Sequence, residues 1–72
     1  MTQHEWEAEV LDAIAGTSWR LVSARISEES PSCRAYLDRA SDDRLKTLRV
    51  SRDMLRTAEA RRAELWRQLD EP

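Results

Sequence analysis

Apolar positions along the chain recur mostly at helical intervals. Trp6, Val10, Ala13 and Ile14 fall at i, i+4, i+7 and i+8, one face of an amphipathic helix. Thr2, with Glu5 three residues on, forms a capping box ahead of that face, and Gly16 supplies a left-handed stop behind it. Together they predict a first helix over residues 3–15. Trp19, Val22 and Ile26 share a second face after Thr17 or Ser18 as cap, which predicts a helix over residues 18–27. The stretch from Trp19 to Ile26 also fits a strand, but that reading is rejected because no second strand exists to pair with it. Ser30-Pro31 is a helix start, a capping side chain followed by a proline suited to the first helical position. Cys33, Tyr36, Leu37 and Ala40 then line one face of a third helix over residues 31–40. Ser41, Asp42 and Asp43 restart the chain. Behind them Leu48, Ser51, Leu55, Ala58, Arg62, Leu65 and Leu69 follow a seven-residue repeat, flanked by Leu45 and Trp66, and predict a long helix over residues 42–69.

The expected fold class is therefore all-α: a single domain over residues 1–72, with three short helices in 1–40 and one long C-terminal helix in 41–72. Composition agrees, since there is one Gly, no Phe, and 36% charged residues. The long helix has a consequence. About 28 residues make a rod of about 42 Å, longer than a compact body of this size. Its distal turns nonetheless carry apolar residues. A homodimer is the expected cover, with Leu55, Ala58, Arg62, Leu65, Trp66 and Leu69 as its interface. The rival arrangement folds the helix back near Arg61-Arg62 onto the first helix, whose acids would meet those arginines.

Charge is unevenly spread. Residues 1–16 carry four acids and no Lys or Arg, whereas residues 17–62 hold 11 Lys/Arg against 7 Asp/Glu. The middle of the chain suits an anionic partner and the ends do not. The acidic start is no secretory signal, and no apolar run approaches the roughly 18 residues of a membrane span. One cysteine, Cys33, permits no internal disulfide and fits a reducing compartment, so the expected location is the cytoplasm. His4 and Cys33 are far apart, which leaves no metal site, and one Gly makes no phosphate loop. No catalytic set, cofactor or small-molecule substrate is expected.

One constellation suggests a function. A short helix, a polar turn and a second short helix starting at Ser30-Pro31-Ser32 have the spacing of a helix-turn-helix, whose second helix enters the major groove. Ser32 and Arg34 would face the bases, while Arg20, Arg25, Arg39 and Arg44 would reach phosphates. Over roughly residues 8–55 the chain resembles the DNA-binding head of phage small terminase subunits. Val10 to Ile14 with Gly16, Ser18 to Val22, Pro31-Ser32, Tyr36-Leu37 and Ser51-Arg52-Asp53 correspond to that family's pattern. The departures are Tyr36 where Trp is usual, a turn without Gly, Pro31 inside the third helix, and Ser-Arg-Asp for Ala-Arg-Glu. The resemblance implies a helix-turn-helix that binds DNA. Two readings of function stand side by side: a phage-type DNA-binding protein, and a helical adaptor, chaperone or inhibitor that meets a larger protein complex through the acidic first helix or the last helix.

Overall fold

The computed structural model describes residues 1–27, 29 and 31–71. Its elements run α1 (Gln3–Ile14), β1 (Trp19–Ile26), β2 (Ser32–Arg39), β3 (Arg44–Ser51) and α2 (Ala58–Asp70). The fold is α+β, which overturns the all-α expectation. The first helix stands where it was expected. The second and third expected helices are β1 and β2, and the front half of the fourth is β3. The proposed helix-turn-helix is thus a β-hairpin, and the fold that the terminase resemblance implied falls with it. The cap assigned to Ser30 lies outside the described residues.

The strands pair antiparallel in the order β1-β2-β3. Alternation explains them once the sheet is seen. Cys33, Ala35 and Leu37 of β2 point inward, opposite Val50, Leu48 and Lys46 of β3. Strand β1 hides the same logic behind a bulge. Its inward residues are Trp19 and Leu21, then Ala24 and Ile26, so the inward parity changes partway along. The register passes from Leu21 opposite Leu37 directly to Ser23 opposite Tyr36, leaving Val22 as the extra residue. Val22 is exposed. With Val22 paired in the ladder instead of bulged out, one half of the strand would turn its apolar side chains to solvent.

Both helices cover one face of this sheet, α1 over β1 and α2 over β3, and they touch each other. Trp6, Val10, Ala13, Ile14, Leu65 and the inward strand residues form the core. The Trp6 indole N–H donates to the Arg34 carbonyl at 2.8 Å, tying α1 to the middle strand. Thr2 caps α1 through Glu5 N–H at 3.1 Å, with the Glu5 carboxylate reaching back to the Thr2 hydroxyl. Gly16 takes the left-handed conformation, φ 79°. Ser41, Asp42 and Asp43 belong to the β2–β3 turn and start no helix. Asp43 turns at φ 55°, a conformation Asp tolerates, and Asp42 accepts from Arg44 N–H.

Each sheet edge meets a helix side chain at one residue. The Gln3 side chain donates to the Ala24 carbonyl on β1. On β3 the Gln68 amide accepts from Arg49 N–H at 2.9 Å and donates to its carbonyl at 2.7 Å, filling one step of the free edge as a neighbouring strand would. Lys46 crosses beneath to the end of α2, where its ammonium donates to the carbonyls of Gln68 (2.7 Å), Leu69 (3.3 Å) and Glu71 (2.6 Å). A cation at the negative end of a helix dipole anchors that terminus.

No long helix among the described residues projects from the body to need a partner chain as cover. Helix α2 has 13 residues, and the molecule measures 34 × 21 × 19 Å. Leu65 is buried in the chain's own core, with Leu55 and Leu69 packed against it. The fold-back arrangement has its expected contacts: Glu9 meets Arg61 at 2.8 Å and Asp12 meets Arg62 at 3.0 Å. The chain breaks at residues 52–57, ahead of those arginines. No helix among the described residues is long and apolar enough to cross a membrane.

Candidate functional site

With both helices on one side, the opposite face of the sheet is open. Strand alternation puts Arg20, Ser23 and Arg25 of β1, Ser32, Arg34, Tyr36 and Asp38 of β2, and Leu45, Thr47, Arg49 and Ser51 of β3 on it. The register lines them up in rows across the strands. Arg20, Asp38 and Leu45 make the first, and Ser23, Tyr36 and Thr47 the second. The third is Arg25, Arg34 and Arg49. Directly opposite residues have Cβ atoms roughly 5 Å apart, so three guanidinium groups stem from a span of about 10 Å. All three residues are exposed. None forms an ion pair with a described residue.

Five arginines outside the row have carboxylate partners. Arg20 pairs with Asp38 (3.0 Å), Arg39 with Asp42 (2.7 Å), Arg61 with Glu9, Arg62 with Asp12, and Arg67 with Glu64 and Glu71 (both 2.5 Å). These pairs leave their mark on titration. Hydrogen bonds from Arg39 hold the Asp42 carboxyl below its ordinary range, and those from Arg67 do the same for Glu64. The Glu9 carboxylate raises Arg61 further above its already high value.

Four of the six residues expected to touch DNA, Arg20, Arg25, Ser32 and Arg34, share the open face, though as strand residues and not as a recognition helix. The other two do not join them. Arg39 lies on the covered side at the far end of β2, held by Asp42 and stacked over the Trp19 ring at 4.6 Å. Arg44 opposes Arg39 and also lies off the open face. Sequence reasoning missed Arg49 and Tyr36 as site residues. The signal was the strict alternation of Ser32-Cys33-Arg34-Ala35-Tyr36-Leu37-Asp38, which places Ser32, Arg34, Tyr36 and Asp38 on one side.

Next to Tyr36 the face sinks into a hollow of about 310 Å³ lined by Arg25, Ile26, Ser27, Arg34 and Tyr36. A second, wider depression of about 640 Å³ lies on the helical side, between Ala13, Ala15 and Thr17 and the last turns of α2. Trp66 borders it, 55% exposed. Of the residues assigned to a dimer interface, Trp66, Ala58 and Arg62 are exposed, and Leu55 and Leu69 are half-buried. Cys33 sits under the sheet, fully buried, and burial pushes its thiol up, away from the reactive thiolate. Among the described residues no cluster of His, Cys, Asp or Glu is placed to hold a metal ion. No protein-family model, no curated protein and no solved structure matches this chain.

Proposed function

We propose that this protein is a non-catalytic nucleic-acid-binding module of the cytoplasm that receives its ligand's phosphates on the open face of the sheet. Arg25, Arg34 and Arg49 are the primary contacts, and Arg20 is a secondary one because Asp38 already holds it.

The arginine row carries this reading. Like charges directly opposite each other on a sheet destabilise it. Five of the eight arginines outside the row have carboxylate partners among the described residues, whereas none of the three in the row pairs with a described residue. An arrangement that opposes folding is sustained by what it does for binding. A ligand with repeated, closely spaced negative charge relieves the repulsion across all three strands at once, and a nucleic-acid backbone has that form. Guanidinium groups also match phosphate oxygens in pairs. Charge separation supports the same face: α1 carries four acids and no Lys or Arg on the opposite layer, so an approaching polyanion is repelled from one side and drawn to the other.

Arg34→Glu tests the reading without relying on loss of fold. It places a carboxylate between two arginines, and the expected result is a higher unfolding temperature together with loss of oligonucleotide binding. A wild-type protein that retards no nucleic acid at low ionic strength would end this proposal. A second reading, attachment to a protein, is favoured by the exposed Trp66 beside its depression. Trp66→Ala, with nucleic-acid binding intact, is its separate probe.

A further inference from the structure

We infer that the preferred ligand is a single strand, one base of which stacks on Tyr36 in the hollow beside the arginine row; this rests on the reading just proposed. Tyr36 occupies the middle of the central strand, half-buried, with its ring on the open face. Among the described residues its hydroxyl has no hydrogen-bond partner. Arg34 and Tyr36 stand two residues apart on β2, about 7 Å, so a nucleotide whose base lies on the ring has its phosphate within reach of the guanidinium. The hollow between them, about 310 Å³, is at the lower end of the sizes that hold small organic ligands. Its lining suits a nucleotide: an aromatic wall in Tyr36 and cations in Arg25 and Arg34.

A duplex cannot use this site. Its bases are stacked on each other, so none presents a face to Tyr36. Its grooves admit a helix or a two-stranded ribbon, whereas the open face is three strands wide and both helices lie behind it. A duplex would touch the arginine row tangentially, through phosphates alone. A single strand can lay its backbone along the row and turn a base onto the ring. That contact tolerates sequence, because every base has a stacking face.

The test compares four labelled or competing probes at one salt concentration: oligothymidylate and oligouridylate of about 12 nucleotides, a duplex of the same length, and heparin. The wild type is expected to bind either single strand at least about 10-fold more tightly than the duplex. Tyr36→Leu keeps an apolar side chain and removes the ring. It should weaken single-strand binding by about 10-fold and leave duplex and heparin binding unchanged, with its unfolding temperature measured alongside. Tyr36→Phe should bind as the wild type does. Equal affinity for single strand and duplex, or a Tyr36→Leu protein that is folded and unimpaired, overturns the inference. Binding that still requires Arg34 in that case leaves the phosphate-binding reading in place. A wild type that binds none of the four probes removes both.

Discussion

Arg34 is flanked by like charge on both sides, yet its carbonyl receives the Trp6 indole N–H, so the centre of the cationic row is fixed to the core through its own backbone. Side-chain replacement there leaves that bond in place. Arg34→Thr, which favours a strand and removes one charge, is expected to raise stability by about 0.5–1 kcal/mol in urea unfolding while weakening binding. The opposite case is Arg61. Its guanidinium clamps Glu9 through contacts of 2.8–3.0 Å and also donates to the Leu55 carbonyl, with the two side chains only 12% and 21% exposed. Glu9→Ala strands a poorly solvated cation and should cost about 1–3 kcal/mol, less than a fully buried pair because water still reaches this one. Titration sets two further limits. The Asp42 and Glu64 carboxyls are held below their unfolded range, so what they contribute is present above about pH 4 and is lost as pH falls through their folded values. Both pairs are at the surface, and the effect is small. The Cys33 thiol is raised by burial, so its contribution is intact below about pH 8.5 and is lost as alkali ionises the unfolded chain. Unfolding midpoints across pH should decline at both ends, and Cys33→Ala should flatten the alkaline side alone.

At the scale of elements, the bulge in β1 explains both the fold and the difficulty of reading it. Trp19, Val22 and Ile26 look helical in spacing because the bulge breaks the alternation. Val22 is exposed, and the true inward set is Trp19, Leu21, Ala24 and Ile26. Removing Val22 restores strict alternation without moving any pair in the ladder. That deletion should leave the protein folded, its unfolding temperature shifted by a few degrees. An alanine inserted after Tyr36 would turn Leu37, now 1% exposed, toward solvent and should abolish cooperative unfolding. Helix α1 was legible because its cap, its buried stripe and its Gly16 stop agree locally. Strand β3 was not, since Leu45 faces solvent and Lys46 faces inward to hold the end of α2, the reverse of what polarity suggests. The three strands carry few β-branched residues and many Arg, Leu and Ala, so local propensity favours helix and tertiary pairing overrides it. Arg20, Arg25 and Arg34 were recognised as cationic contacts, and Arg49 was not. Their common face became visible only with the register.

Taken whole, the molecule is two layers of unlike charge. The open face holds four arginines and one aspartate, and α1 on the other side holds four acids. If three to four of those arginines displace counterions from a single strand, the logarithm of the binding constant should fall against the logarithm of salt with a slope of about −2 to −3. A slope near zero would mean that apolar contact, not phosphate, drives binding. The most direct measurement is a nuclear magnetic resonance titration of isotope-labelled protein with oligothymidylate at low salt. The Nε resonances of Arg25, Arg34 and Arg49 and the amides around Tyr36 are expected to move together, while the outward amides of α1 stay still. Shifts gathered instead around Ala63 and Trp66, or no shifts at saturating oligonucleotide, would contradict the assignment of the open sheet face as the binding surface.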